Sequence, residues 1–513
     1  MKEKQILNGK IVVNIFLAIL IFLVGAVFVY INLVQYKLGL NADIAGECLL
    51  AKVMWESKEW IPKDWYFGNE LRLISATNCA ALFYGVSKSL CFSMGMGCVV
   101  AGAFIIWGAY YLCKELDFSV TQKLLFILLI MMLPNNKAQM ELLFIYASYY
   151  AVHIGVYFVT LAIYLKMIKK KEVSKAIIVV IFLLHLLLGM QGVRGLLIVT
   201  GPLMAVEILR RIYMWWSINE LKNGNNAITG FVILLNVLEY LGGKFPKSIG
   251  YPLSRNIRKA PQKLFKIVLP DFLNTFEWNK ISVVEKIALI MCLAVLLYLV
   301  ISVWSQGIKK KSIVEENWVF LNFFISVLLT IAALTFTTVD SSSRYFVVVY
   351  FAIAMSLVMV LGKENKFIKS VMIFVIAVLF VGNCCRTYYP MLTDKSYENN
   401  VCVQVGEYLL QGGYENAYSD FEKANTLTLY NDGKIQISAV NSFSDMEVCK
   451  WLTSSKWYVP NVSKNSKTAY VVPEYCVEEM EEFLEEHIDV ELKTKIGIYH
   501  IYDSNYNYSK LVD

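Results

Sequence analysis

The stretch "IVVNIFLAILIFLVGAVFVYINL" at residues 11–33 contains no charged side chain. A helix that crosses a lipid bilayer needs about 20 predominantly apolar residues. Lys2, Lys4 and Lys10 precede the stretch, and the stretch is longer than a signal-peptide core of roughly 7–15 residues. The pattern therefore predicts a membrane helix that is retained in the protein, with the basic N-terminus on the cytoplasmic side.

Composition extends this prediction along the chain. Of 513 residues, 57% are hydrophobic and 17% are charged, whereas about a quarter of the residues of a soluble domain are charged. Further apolar runs follow the first one, and together they predict a polytopic α-helical membrane protein with about 11 transmembrane helices. The predicted spans are residues 11–33, 89–113, 120–134, 147–166, 175–190, 195–211, 226–241, 283–304, 317–337, 344–362 and 366–384.

The positions of lysine and arginine predict how these spans are oriented. Short cytoplasmic loops of membrane proteins are enriched in both residues. With the N-terminus inside, four basic connections all fall on the inner side, at residues 166–175, 210–222, 305–312 and 362–369. The same count places the 34–88 loop, the connection around residue 140 and the C-terminal segment outside the cell.

The C-terminal segment differs from the rest of the chain in charge. From Arg386 onward there are 11 Lys and Arg against 20 Asp and Glu, a net charge of −9, which leaves +16 for the remainder. Short strand patterns alternate there with an acidic amphipathic helix. We therefore predict a transmembrane domain at 1–385, which includes amphipathic helices in the first extracytoplasmic loop (34–88), and a soluble extracytoplasmic α/β domain at 386–513.

Acids and tryptophans follow the first span, in "NADIAGECLLAKVMWESKEW" at residues 41–60. Asp43 and Glu47 are four residues apart and share one face of a helix. Two carboxylates at this spacing suit a general base or a divalent-metal site, and the alternative is a pair of solvated charges. Trp55 and Trp60 either anchor the loop at the headgroup level or form a flat wall for a sugar ring.

Two arginines each open an apolar segment at its predicted outer end, Arg194 and Arg344. A charge so near hydrocarbon is costly and often functional, and the forked guanidinium group fits phosphate bidentately. The alternative is a snorkelling side chain or a structural ion pair, for example between Arg344 and Asp340.

Three further residues lie on the same predicted side. His153 is near the outer end of its span, and Lys137 and Glu141 stand in "PNNKAQME" at residues 134–141. All three are placed to approach an outer cavity and bind substrate there. A lone histidine on a helix is, however, more often a packed and hydrogen-bonded residue.

Other classes of function lack their signatures in this sequence. The chain has no P-loop, no GxGxxG motif after a strand, no HExxH motif and no nucleophile elbow, and we expect no nucleic-acid partner. Few ionisable residues fall in the middle of the predicted spans, so an ion-coupled proton relay is not favoured.

The combination of these features resembles the GT-C superfamily, integral membrane glycosyltransferases that use polyprenyl-phosphate-linked sugars. The features are "NADIAGE" (41–47) in the first outer loop with tryptophans after it, the series of spans, "SSSRYFVVVYFAIA" (341–354) and the extracytoplasmic α/β tail. The resemblance covers the architecture of nearly the whole chain.

This resemblance implies a hexosyl- or pentosyltransferase of the bacterial plasma membrane, acting among membrane lipids on a cell-envelope glycan or lipid acceptor. It implies that Asp43 is the catalytic base or a metal-site acid, with Glu47 second, and that Arg344 and Arg194 bind the donor phosphate. Many members carry a tighter acidic pair, so the use of a divalent cation stays open. The alternative is an envelope polysaccharide polymerase or ligase, or a lipid-linked glycan transporter.

Overall fold

A computed structural model describes residues 2–68, 70–192, 194–218, 226–244, 254, 257–310, 313–362, 366–398, 400–458 and 463–509. In chain order, its helices are α1 (Lys2–Leu33), α2 (Ala42–Ser57), α3 (Ala76–Ser87), α4 (Leu90–Glu115), α5 (Val120–Met132), α6 (Lys137–Leu143), α7 (Ala151–Ile168), α8 (Lys175–Met190), α9 (Gly201–Ile218), α10 (Asn226–Gly242), α11 (Ala260–Lys263), α12 (Leu269–Asn274), α13 (Val283–Lys310), α14 (Glu315–Phe336), α15 (Val348–Leu361), α16 (Lys366–Asn383), α17 (Tyr389–Thr393), α18 (Val401–Gly412), α19 (Phe421–Tyr430) and α20 (Val477–Glu486). The strands are β1 (Trp65–Tyr66), β2 (Asn416–Asp420), β3 (Ile437–Val440), β4 (Thr453–Ser454), β5 (Ser463–Pro473), β6 (Glu491–Ile496) and β7 (Tyr499–Asn507).

The helices include the expected membrane spans. Within the described residues, seven are long and apolar enough to cross a membrane, in α1, α4, α7, α13, α14, α15 and α16. The shorter helices α5, α8 and α10 are also apolar, and α9 carries three charged residues. Each predicted span thus falls on a helix, and the chain is a multi-pass membrane protein. The total of about 11 crossings stays a prediction, and the basic connections at 210–222, 305–312 and 362–369 lie partly outside the described residues.

The burial of each helix follows from its sequence. α15 reads VVYFAIAMSLVMVL, apolar on every face, and a helix of this kind belongs in an interior. Its residues from Val348 to Val358 are buried. In α1, α13 and α16, by contrast, many apolar side chains are exposed, for example Phe22, Ile301 and Phe374. Such surfaces suit contact with lipid.

The chain divides into two compact units that differ from the predicted domains. Unit 1 comprises residues 1–28, 101–144 and 148–390, and unit 2 comprises residues 29–100, 145–147 and 391–513. The predicted boundary at 385/386 is close to the division at 390/391. The 34–88 loop, however, was predicted as part of the transmembrane domain, and it packs in unit 2 with the C-terminal segment.

Unit 2 contains a mixed sheet. In its described residues, five strands are ordered β3-β2-β5-β7-β6. β2 pairs in parallel with both β3 and β5, whereas β7 pairs antiparallel with β5 and β6. Parallel neighbours need a crossover connection, and α19 supplies it between β2 and β3. The predicted small α/β region is therefore present.

Contacts within unit 2 explain why the 34–88 loop packs with the C-terminal segment. β1 from the loop pairs antiparallel with β4, Trp65 opposite Ser454. Lys37 forms an ion pair with Asp432 at 3.2 Å. On α2, a Cβ atom at Gly46 would lie 2.9 Å from the Leu452 side chain, so a glycine is needed at this close approach. These partners lie almost 400 residues apart, and no local sequence pattern reveals them.

Candidate active site

Asp43 lies on the first turn of α2 in unit 2. The turn begins at Asn41, whose side-chain oxygen accepts a hydrogen bond from the Ile44 backbone N–H at 2.8 Å. This cap satisfies one of the free N–H groups of the helix start. The Asp43 side chain is exposed, and the positive end of the helix dipole favours a carboxylate at this position. Asp43 is therefore an exposed acid at a helix start that is capped by Asn41.

Glu47, one turn further along α2, is in a different environment. It is 2% exposed, and one carboxylate oxygen accepts a hydrogen bond from Arg72 Nε at 2.7 Å while the other accepts one from the Thr77 hydroxyl. Arg72 also pairs with Glu70 at 3.0 Å. The structure therefore places Glu47 in a buried ion pair and Asp43 at the surface, although both are on one helix.

This ion pair leads to a stability prediction. Replacing Arg72 by Met leaves the Glu47 carboxylate buried without its cation, which costs about 3–5 kcal/mol in comparable buried pairs. We expect a drop of this size in the free energy of unfolding, measured by denaturant unfolding of the purified protein in detergent. As a control, Lys63→Met removes a pair with Glu59 in which Lys63 is 87% exposed, and exposed pairs contribute little. Equal losses for both variants would contradict the structural role of Arg72.

The tryptophans have three separate environments. The Trp55 ring lies under the Lys58 ammonium group at 3.5 Å. Trp60 is 48% exposed, and its Nε1–H donates to the Leu73 carbonyl at 2.7 Å. Trp65 is buried and meets Trp457 edge-on, with ring centroids 5.4 Å apart. Trp65 is therefore a core residue of unit 2, because the pairing of β1 with β4 brings it into the fold.

A cleft of about 520 Å³ opens beside the start of α2, within unit 2. Its charged side chains are Glu422 and Lys423, and in the part of the chain that the structure describes the Thr426 hydroxyl oxygen is buried without a hydrogen-bond partner. Burial raises the pKa of Tyr430 to about 12 and also raises that of Cys402, so both are neutral at pH 7. The lining residues are Leu40, Asn41, Asn400, Val401, Cys402, Glu422, Lys423, Thr426, Tyr430, Ile498 and Tyr499.

In unit 1, hydrogen bonds from Gln139 of α6 and from Thr275 hold the backbone of the segment that carries Arg344. The Ser343 carbonyl accepts hydrogen bonds from Gln139 Nε2 and from the Thr275 hydroxyl, both at 3.0 Å. Asn136 caps α6 through the Gln139 backbone N–H at 2.9 Å. Arg344 itself is exposed at the end of the α15 span. The backbone next to this guanidinium group is thus fixed by buried amides.

Arg194 stacks on an aromatic ring. Its guanidinium carbon lies 3.8 Å from the centroid of Tyr150, and the Tyr150 backbone N–H donates to the Leu142 carbonyl of α6 at 2.8 Å. His153 follows Tyr150 by three residues, on the first turn of α7, and is buried. A stacked guanidinium group keeps its forked N–H donors in a fixed plane.

In unit 1, α6 contacts both segments that carry the candidate phosphate-binding arginines or their partners. It contains Lys137, which is exposed, and Glu141, which is half-buried. One end of α6 is bonded to the Arg344 segment and the other to the Tyr150 that Arg194 covers. Asp340 is exposed in the connection before Arg344. Asp43, Glu47, Trp55 and Trp60 belong to unit 2.

Three buried ionisable groupings escaped the sequence reasoning. Arg386 bridges Glu285 and Glu277 in unit 1, and Glu207 binds Arg210 with both oxygens. A third grouping, around His185 and Glu239, lies between apolar helices. The expectation of few ionisable residues inside the spans was incomplete. His185 in "FLLHLLLG" and Glu239 in "NVLEYLGG" are single ionisable residues in apolar segments. Such residues often form buried pairs, which a count of charges overlooks.

Asp43 and Glu47 do not share a divalent-cation site. Both Glu47 oxygens already accept hydrogen bonds, which leaves Asp43 to supply ligands. Across the described residues, no group of three or more His, Cys, Asp or Glu side chains is placed to hold a metal ion. We therefore derive no step that uses a metal.

Comparison with known proteins gives a likeness of fold. No protein-family model and no curated protein sequence matches the chain. A solved structure of ArnT from Cupriavidus metallidurans, bound to undecaprenyl phosphate, aligns at a TM-score of 0.49 and 10% identity over 93% of this chain and 97% of that chain. The Archaeoglobus fulgidus oligosaccharyltransferase tethered to an acceptor peptide aligns at 0.47 and 10% over 92% and 68%.

A further structure, the archaeal oligosaccharyltransferase AglB from Archaeoglobus fulgidus with an inhibitory peptide and a dolichol-phosphate, aligns at 0.46 and 12% over 89% of this chain and 69% of that chain. At such identities and TM-scores, the likeness carries no conclusion about activity.

Proposed function

We propose that the chain is a glycosyltransferase that moves a sugar from a polyprenyl-phosphate donor to a cell-envelope glycan or lipid acceptor, on the outer face of a bacterial plasma membrane. The observation that carries the proposal is the arrangement on α2. Asp43 presents an exposed carboxylate on a capped helix end, beside a cleft, while the adjacent acid is neutralised by Arg72. An exposed carboxylate beside a substrate-sized opening suits a general base.

The proposed reaction is an inverting displacement. The acceptor hydroxyl oxygen attacks the anomeric carbon of the donor sugar, and Asp43 takes the hydroxyl proton. The bond between the anomeric carbon and the phosphate oxygen breaks, and the electron pair leaves with the polyprenyl phosphate. Arg344 and Arg194 bind that phosphate and stabilise its developing charge, a contribution that is often the largest in such reactions.

The cleft of unit 2 is the proposed acceptor site. Its Asn, Thr, Lys and Glu side chains supply the donors and acceptors that sugar hydroxyl groups need, and Asn41 joins it to the turn that carries Asp43. This assignment gives the C-terminal segment a role in recognising the acceptor.

An acceptor site in the cleft predicts a selective defect. The double variant Lys423→Met/Thr426→Val is expected to raise the acceptor KM about 30-fold, since it removes two polar partners worth about 1 kcal/mol each. Binding of undecaprenyl phosphate is expected to stay unchanged. Lys434→Met, an exposed lysine of the same unit outside the cleft, is the control. An unaltered acceptor KM in the double variant would exclude the cleft as the acceptor site.

A lipid-binding experiment tests the proposed donor class. The purified chain in nanodiscs is heated with undecaprenyl monophosphate or with undecaprenyl diphosphate. A ligand that binds the native state at a hundred times its Kd raises the free energy of unfolding by about 2.7 kcal/mol. Because the proposed donor is a monophosphate, we expect undecaprenyl monophosphate to bind more tightly and to raise the Tm more than the diphosphate does. A stronger effect of the diphosphate favours the alternative, a polysaccharide polymerase or ligase or a lipid-linked glycan transporter. No effect of either lipid contradicts the proposal.

A further inference from the structure

His185 and Glu239 form a polar pair between apolar helices of unit 1. His185 Nδ1 lies 2.6 Å from a Glu239 carboxylate oxygen, and both side chains are inaccessible to solvent. His185 Nε2 lies 2.9 Å from the Thr160 hydroxyl of α7. The other Glu239 oxygen accepts a hydrogen bond from the Thr200 hydroxyl at 2.7 Å. Ionisable groups in such helices are costly and are retained mainly for function.

Hydrogen bonds satisfy both side chains of this pair. Both ring nitrogens of His185 and both carboxylate oxygens of Glu239 lie within hydrogen-bond distance of a partner. A fully bonded polar pair tolerates the low dielectric of a helix interior. The pair thus has the properties of a fixed structural clamp.

The clamp holds one particular turn. Residues Leu196–Thr200 form a π-helical turn, a feature often found at functional sites. At its start, a Cβ atom on Gly195 would lie 2.6 Å from the Glu239 carboxylate. At its end, Thr200 donates to Glu239, and the Thr200 carbonyl accepts a hydrogen bond from Asn236 at 2.9 Å. α10 therefore grips both ends of the turn.

Arg194 directly precedes the gripped turn. Its guanidinium group covers the Tyr150 ring at 3.8 Å, and its backbone is one residue from the Gly195 that contacts Glu239. Any shift of the π-helical turn along α10 therefore moves Arg194 relative to Tyr150. A displacement of about 1 Å is enough to change substrate turnover or binding a hundredfold in other enzymes.

We propose that His185 and Glu239 are positioning residues for Arg194, which clamp the π-helical turn so that the guanidinium group is held against Tyr150 for an anionic phosphate ligand. The phosphate role rests on the proposed function, whereas the clamp itself does not. Since the clamp consists of hydrogen bonds, Glu239→Gln should preserve it, with the amide donating to His185 and accepting from Thr200. Glu239→Leu removes both bonds.

Hydrogen exchange followed by mass spectrometry tests the clamp without any substrate. In Glu239→Leu, we expect the amides of residues 196–201 to exchange about tenfold faster, through local opening. Glu239→Gln should exchange like the wild type. Gly195→Ala gives a second route to the same result, since its methyl group meets the carboxylate. Ser356→Ala is the control, since the Ser356 hydroxyl donates within α15 to the Ile353 carbonyl. Unchanged exchange in both Glu239→Leu and Gly195→Ala overturns the proposal.

Binding of undecaprenyl phosphate then tests the consequence for Arg194. We expect Glu239→Leu to raise its Kd roughly tenfold to a hundredfold and to lower kcat for transfer, because Arg194 also stabilises the leaving phosphate, and Glu239→Gln to restore both values. A loss of activity in Glu239→Gln equal to that in Glu239→Leu contradicts a positioning role, because it points to proton transfer. If exchange responds as expected but the wild type does not bind the lipid, the clamp stands and the proposed function fails.

Discussion

Replacing Asp43 by Asn is expected to lower the rate of sugar transfer by about 10²–10⁴-fold, the usual contribution of a general base. The amide has nearly the same size and keeps the helix start, but it does not accept the proton of the acceptor hydroxyl. Binding of undecaprenyl phosphate should be unaffected, because in the proposed mechanism Asp43 acts only on the acceptor. Initial rates and lipid binding, measured on the same purified protein, separate the two effects.

Glu56→Gln is the matched control for Asp43→Asn. Glu56 is on the same helix and is exposed, so its replacement changes the net charge equally without touching the capped turn. If Asp43→Asn, present at normal levels in membranes, still transfers sugar at the wild-type rate, Asp43 is not the base.

Replacing Arg344 by Gln is expected to weaken binding of undecaprenyl phosphate by about 10–100-fold, since hydrogen bonds to charged groups contribute roughly 1.5–3 kcal/mol. The Kd of Arg344→Lys should lie between those of the wild type and of Arg344→Gln, because lysine keeps the positive charge but lacks the forked pair of donors. The fixed backbone at Ser343 makes a compensating movement of the segment unfavourable. The Kd of the lipid in nanodiscs measures the effect.

Lys280→Gln serves as the control for Arg344→Gln, since Lys280 is an exposed cation of the same unit that pairs with the nearby Glu277. Equal Kd values for wild type and Arg344→Gln would remove Arg344 from the donor site. Equal weakening in the two variants would show that only the overall charge matters.

The sequence predicts the elements of the fold better than their association. Apolar runs predicted each helical span, because lipid requires continuous apolar segments whose backbone bonds are made within the helix. Asn41 before Asp43 also has the sequence signature of a helix start. The packing of the 34–88 loop with the C-terminal segment was missed, since Lys37 and Asp432 are far apart in the chain.

Contacts between distant residues also decide the environments at the candidate site that the sequence did not predict. In the sequence, Glu47 and Asp43 are similar acids on one helix. The contact of Arg72 with Glu47 makes Glu47 part of a buried ion pair, whereas Asp43 is exposed. His185 and Glu239 are each one polar letter in an apolar helix, and their 54-residue separation hides the contact. A local pattern identifies which residue types are present, whereas partners from distant elements decide their charge and their exposure.

The most direct test of the central claim is the mass of the envelope glycans from the organism that carries this chain. A deletion strain is compared with the same strain complemented by the wild-type chain, by Asp43→Asn or by Glu56→Gln. We predict that the deletion strain and the Asp43→Asn strain lack the mass of one sugar residue on the same glycan, and that the other two strains retain it. Glycans of unchanged mass in the deletion strain would contradict the account of the chain as a sugar transferase.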